Sequence, residues 1–245
     1  MAGTGKWLNC VTFLAYSILD AIMLNWQFIT RFGETSLLLP GAMLITAWLF
    51  HTRAIASAWR WFLSFGVAAA MVLVSKLAFM GWGIGSAALD FTGFSGHSMM
   101  AASVLPALLY LLVPNAWQRL AFGAGCMGML LALLVGFSRL ELDAHSSSEV
   151  LSGLILGFGV SLPFILSSSR PVRSAPVVAA SLVLVLLLAV PVTGVAAPTH
   201  HWLEVLATRL AGRDKPFQRG QWSSWALQSG HEQVLTRLAP VPLMR

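Results

Sequence analysis

The stretch Ser138-Arg139-Leu140-Glu141-Leu142-Asp143-Ala144-His145-Ser146-Ser147-Ser148-Glu149 sets five ionisable residues between two long apolar runs. Charged groups at such a place are expensive, and by default they mark a functional site. His145 and Glu149 stand four apart, so on a helix beginning near Ser146 they share a face, and the carboxylate can accept from an imidazole N–H. That contact selects a tautomer and leaves the other ring nitrogen as the one for nucleophilic or base chemistry. Arg139 adds a planar fork of donors suited to phosphate. A second cluster, Phe94-Ser95-Gly96-His97, precedes another apolar run. Gly96 lets backbone amides approach an oxyanion, the start of a helix attracts negative charge, and Ser95 adds a hydroxyl donor. His97 can hand a proton to a leaving-group oxygen there, or serve only as a polar residue at a span boundary. Together the residue types point to phosphoryl chemistry at a membrane surface.

The elements that must position these groups are membrane helices. Of 245 residues, 57% are hydrophobic and 10% charged, with a mean hydropathy of +0.77, which excludes an ordinary soluble domain. Seven apolar segments, near 8–29, 36–51, 59–80, 97–113, 117–137, 146–166 and 175–195, approach the ~20 residues that cross a bilayer. Closed backbone hydrogen bonding in lipid makes each a helix, so the fold expected is all-α, a polytopic bundle over 1–196. The N-terminal segment is expected to stay as an uncleaved span, because Asp20 and Asn25 interrupt it and no small-residue cleavage pattern follows. With the N-terminus inside, the cytoplasmic loops carry Lys6, Arg53, Arg60, Arg119, Arg170 and Arg173 without an acid. Site residues aside, the outer loops carry only Arg31, Glu34 and Asp90. This positive-inside pattern puts both clusters, Lys76 and the C-terminal tail on the outer face.

Residues 197–245 form a polar, mixed-charge tail. Within it Trp202, Leu203, Val205, Leu206 and Leu210 have the spacing of a helix that lies in the membrane interface or packs on the bundle, and Trp222 and Trp225 can anchor in the same way. The net charge of +6 is spread between spans rather than gathered on a soluble face, so anionic lipid, not nucleic acid, is the expected partner. Cys10 and Cys126 lie in apolar runs without zinc-ligand spacing and read as packing residues.

Ser95-Gly96-His97, followed some forty residues later by Ser138-Arg139, five residues, His145, three residues and an acid, resembles the type 2 phosphatidic acid phosphatase superfamily. The signatures of that family read K-x6-R-P, P-S-G-H and S-R-x5-H-x3-D, and Lys76 falls where the first lysine belongs. The resemblance covers roughly 70–166. It implies that His145 attacks phosphorus to form a phosphohistidine and that Glu149 orients its imidazole. His97 would protonate the departing oxygen and then activate water. Lys76, Ser95, Gly96 and Arg139 would hold the phosphoryl oxygens, and no metal or other cofactor is implied. Three residues depart from the pattern: Glu149 for aspartate, Phe94 for proline, and Gly83-Ile84 for the arginine and proline of the first signature. A missing donor of that kind costs about 3–4 kcal/mol of transition-state stabilisation. The tail could return a cation from Arg213, Lys215 or Arg219, and Ser138 is a further accessory candidate. Glu141 and Asp143 read as a solvated loop, with selection of a cationic or sugar-bearing substrate as the alternative.

The expected activity is removal of a terminal phosphate from a lipid phosphate or diphosphate at the outer face of a bacterial cytoplasmic membrane. Two other readings are a phosphotransferase with the same nucleophile and a degenerate site that binds lipid phosphates without turnover. Haem ligation by His97 and His145 is disfavoured by the acid and arginine beside His145.

Overall fold

A computed structural model describes residues 26–167, 199–219 and 221 of the chain. Asp20, Asn25, Cys10, the seventh apolar segment, Trp222 and Trp225 lie outside the described residues. Among those described there is no strand, only an isolated bridge between Ser86 and Phe91. The helices are α1 (Thr35–His51), α2 (Ile55–Trp82), α3 (Gly96–Leu112), α4 (Gln118–Glu141), α5 (Ser147–Ser167) and α6 (Thr199–Ala211). Trp26–His51, Ile55–Trp82, Gln118–Glu141 and Ser147–Leu166 are long and apolar enough to cross a membrane, so the chain is a multi-pass, all-helical membrane protein. The loop expected between the first two apolar segments is a single 3-10 turn, Arg31–Gly33, after which Glu34 stands as the N-cap of α1.

The chain groups into two compact units. One comprises the described parts of Met1–Leu73 and Phe94–Pro198; the other, Val74–Gly93 with the described part of Thr199–Arg245.

The first unit is built around α3. Twelve of its 17 residues are buried, so it is enclosed by α4, α5 and α1 rather than facing lipid. Small residues let it be enclosed. A Cβ on Gly153 of α5 would stand 2.6 Å from the Ser95 carbonyl oxygen, and one on Gly128 of α4 would stand 2.6 Å from Pro106 Cα. Neither neighbour is the end of a flexible side chain, so a larger residue at either place must push whole helices apart. Pro106 cannot give its amide to the carbonyl of Ala102, four residues back. Ser161 of α5 supplies the missing donor, its hydroxyl bonding Ala102 O at 2.7 Å, which is how a proline inside a buried membrane helix is tolerated. Trp61 of α2 closes the far side of this core, fully buried, with its indole N–H donating to Ala42 O at 3.3 Å and its ring edge-on to Phe164. Outward, Leu63, Val67, Leu130, Leu134, Leu151 and Ile155 are exposed, as lipid-facing positions should be. Cys126 is exposed too, on the outside of α4, and not a packing residue as expected.

In the second unit α6 turns Ala207 and Ala211 toward Gly81 of α2, close enough that a Cβ there would stand 3.4 Å from each. The opposite side exposes Trp202, Leu206 and Leu210, one stripe at i, i+4 and i+8.

Candidate active site

His145 sits in the short link between α4 and α5, and both ends of that link are closed by local hydrogen bonds. At the end of α4 the amide of Ala144 donates to Arg139 O at 3.1 Å and that of Asp143 to Leu140 O at 3.0 Å, while Asp143 takes a left-handed φ of 49°. This is a Schellman ending with aspartate at the left-handed position. It gives exposed Asp143 a structural reason of its own and ties the Arg139 backbone to the loop that carries His145. At the start of α5, Ser146 and Glu149 form a reciprocal capping box. The Ser146 amide donates to Glu149 Oε2 at 3.3 Å, and the Glu149 amide to Ser146 Oγ at 3.4 Å.

The same Glu149 oxygen lies 2.7 Å from His145 Nδ1. Glu149 is wholly buried and the His145 side chain 13% exposed, so little water competes for that contact. A carboxylate on Nδ1 makes Nε2 the nitrogen for chemistry. Glutamate in place of aspartate therefore has a local rationale, since one side chain both caps α5 and holds the imidazole.

Ser95 and Gly96 open α3. Ser95 is its N-cap, fully buried, with its amide donating to the Glu149 carbonyl at 3.1 Å and its hydroxyl accepting from Ser98 at 2.9 Å. The first-turn amides that begin at Gly96 have no helical carbonyl to donate to, which makes this end of α3 a natural place for an anion. His97, the second residue of α3, has Nε2 3.3 Å from Glu34 Oε1. Arg139, half-buried on the last turn of α4, donates from Nη1 to Thr30 Oγ1 at 3.0 Å. The Ser138 hydroxyl instead bonds back to Val135 O at 2.6 Å within its own helix.

The structure thus gathers His145, Glu149, Ser95, Gly96, His97 and Arg139 at one end of the first unit, from the starts of α3 and α5 and the end of α4. It adds two residues that sequence reasoning treated as loop or left unremarked, Glu34 and Thr30. Their signal was faint, an acid beside Arg31 at a span boundary, and nothing in the spacing links them to residues more than sixty positions away.

The remaining candidates belong to the second unit. Lys76 is half-buried on α2, and the chain crosses its stem at Gly93, whose φ is +147° and where a Cβ would stand 3.2 Å from Lys76 Cγ. Gly83, at the place of the first signature's arginine, ends α2 with a left-handed φ of 71°, a conformation that favours glycine over any side chain. The ring of Phe217 covers it, about a van der Waals contact from where a Cβ would be, and the Phe217 amide donates to Met80 O at 2.8 Å. The Arg213 guanidinium lies over that ring, 3.9 Å from its centroid. Arg219 pairs with Asp90 at 3.0 Å, and Lys215 is exposed.

Comparison with known proteins adds three findings. The family model of the PAP2 superfamily matches residues 85–173, a span that holds the second and third signatures but begins after Lys76 and Gly83. An uncharacterized 22.5 kDa protein in the cps region of Klebsiella pneumoniae is 42% identical over 203 residues, covering 80% of this chain and 96% of that protein. Among solved structures, a transmembrane PAP2-type phosphatidylglycerolphosphate phosphatase from Bacillus subtilis matches at 30% identity, covering 62% of this chain and 79% of that one, with a TM-score of 0.43.

Proposed function

Because the chain belongs to the PAP2 superfamily, we propose that it is a membrane phosphatase that removes a terminal phosphate from lipid phosphates or diphosphates through a phosphohistidine on His145. The observation that carries this reading is the His145 imidazole held at 2.7 Å by a buried carboxylate, beside an arginine, a second histidine and a helix start. In the first step His145 Nε2 bonds to phosphorus as the bond to the departing oxygen breaks, and His97 gives that oxygen a proton. In the second, His97 takes a proton from water, the water oxygen bonds to phosphorus, and the P–N bond breaks to release phosphate and restore His145. The α3 amides from Gly96, the Ser95 region, Arg139 and, by its place in the first signature, Lys76 hold the equatorial oxygens. Phosphoryl transfer depends chiefly on such positioning and charge stabilisation. The positive-inside distribution of the loops supports a site on the outer face of a bacterial cytoplasmic membrane.

The test is phosphate release by the purified protein in detergent from phosphatidic acid, phosphatidylglycerophosphate and a polyprenyl diphosphate, beside His97→Ala. Release from at least one lipid, reduced in the variant by at least the roughly hundredfold contribution of a general acid, supports the reading. Tight binding without release from any of them overturns it in favour of a phosphotransferase or a binding protein.

Arg213 gives a further expectation. Its guanidinium lies over the Phe217 ring that covers Gly83, the chain position at which the first signature has its arginine. Arg213→Ala should lower turnover about tenfold, less than the loss expected for a rigid, buried donor because Arg213 is exposed. Arg219→Ala, which removes the exposed pair with Asp90, should leave turnover within about twofold. Equal activity of Arg213→Ala and the wild type would remove the tail from the reaction.

A further inference from the structure

The 3-10 turn that leads into α1 touches the site twice. Thr30, largely buried, accepts from Arg139 Nη1 at 3.0 Å. Four residues on, the Glu34 carboxylate lies 3.3 Å from His97 Nε2, with the two side chains 19% and 23% exposed. Between them Gly33 is pressed against both neighbours: a Cβ there would stand 2.6 Å from Val135 Cγ1 and 3.2 Å from His97 Cβ. The absence of a side chain at residue 33 is what lets the turn reach α3 and α4 together. One short segment thereby engages the side chain of the histidine on α3 and that of the arginine on α4.

An imidazole that gives up a proton and then recovers one needs a fixed ring and a negative charge near its cationic form, which is what a carboxylate supplies in other catalytic pairs. His145 has Glu149. We infer that Glu34 is the corresponding partner of His97, a positioning residue that holds the proton-donating imidazole, and that Thr30 performs the same service for the phosphate-holding guanidinium of Arg139. This rests on the proton-transfer role of His97 proposed above. Neither residue lies in the second or third signature, and both flank the 3-10 turn before α1.

The role has a readout that a purely structural contact lacks. A proton donor matters to the degree that the departing oxygen needs a proton. The lipid alkoxide of dioctanoyl phosphatidic acid needs one, whereas the phenolate of p-nitrophenyl phosphate departs without it. The quantity to compare is kcat/KM, which reports departure of that first group. Glu34→Gln is expected to lower kcat/KM for the lipid roughly a hundredfold, the lower end of what a general acid contributes, and for p-nitrophenyl phosphate less than about threefold. Glu34→Asp, which keeps the charge but sets it back by one methylene, should recover part of the loss on the lipid alone. Thr30→Val, in which Arg139 loses its acceptor, should weaken both substrates by the same factor.

Equal losses on the two substrates in Glu34→Gln would show a structural role and overturn the assignment, as would an aspartate variant no better than the glutamine one. A rise in activity in Glu34→Gln would make Glu34 an anion that competes with phosphate, which also overturns it. If the wild-type protein hydrolyses neither compound, nor any of the lipids named above, the phosphatase reading fails and this one with it. If it hydrolyses both and the variants behave alike, only the assignment of Glu34 fails.

Discussion

His145→Ala is expected to abolish phosphate release, by on the order of 10⁴-fold or more, because the proposed reaction loses the atom to which phosphorus is transferred. Loss of a covalent nucleophile is among the largest single-residue effects in enzymes, and what remains comes from binding and charge stabilisation alone. The side chain is mostly buried against Glu149, and removing it leaves that carboxylate in the wall of the site, so the control is fold as well as rate. The capping box of α5 uses the Ser146 and Glu149 backbone and side chains and not the imidazole, so the variant should keep its helix content and elution volume in detergent. Brief incubation of the wild type with a radiolabelled lipid phosphate, quenched in alkali, should leave label on the protein. His145→Ala should leave none. A variant that still releases phosphate at a rate near that of the wild type would remove the phosphohistidine from the mechanism.

Glu149→Gln should separate the two duties of that side chain. Glutamine serves in a capping box nearly as well as glutamate, so α5 should keep its start. The amide carries no charge, however, and can present its NH₂ to Nδ1, which would favour the tautomer protonated at Nε2, the nitrogen that attacks in the proposed mechanism. Where the carboxylate of a comparable triad is changed to its amide, turnover falls by about 10⁴ with geometry intact. A loss of that order, with a thermal midpoint in detergent little changed, is the expected result. Glu149→Ala should lose both activity and stability, since the Ser146 amide and the imidazole each lose an acceptor in a fully buried place. If Glu149→Gln retained more than a tenth of wild-type turnover, the carboxylate would be a cap and not a catalytic partner.

The contrast between the two histidines explains which parts of the site were legible in the chain. The pair His145–Glu149 is an i,i+4 relation and the box Ser146–Glu149 an i,i+3 relation, and both follow from the pitch of one helix. The link from Arg139 to His145 is likewise local, a helix ending whose hydrogen bonds reach no further than six residues. Each follows from spacing, the capping duty of Glu149 from the serine three residues before it. His97 and Glu34 lie 63 positions apart, Arg139 and Thr30 109. Those pairs depend on how three helices seat against one another, and helical pitch says nothing about that.

By itself the sequence determined that this is a helical membrane protein with two polar clusters of phosphatase type. Hydropathy over a bilayer's width and hydrogen bonds within a few residues are properties of short stretches, and a linear pattern records them fully. Only the tertiary structure decided that Gly153, Gly128 and Ser161 seat α3 between its neighbours, that Phe217 covers the glycine at the place of the first signature's arginine, and that Glu34 and Thr30 turn inward. Those outcomes are set by which small residue meets which backbone across a helix interface. That depends on close packing among segments distant in the chain, where a single Cβ in the wrong place excludes the contact.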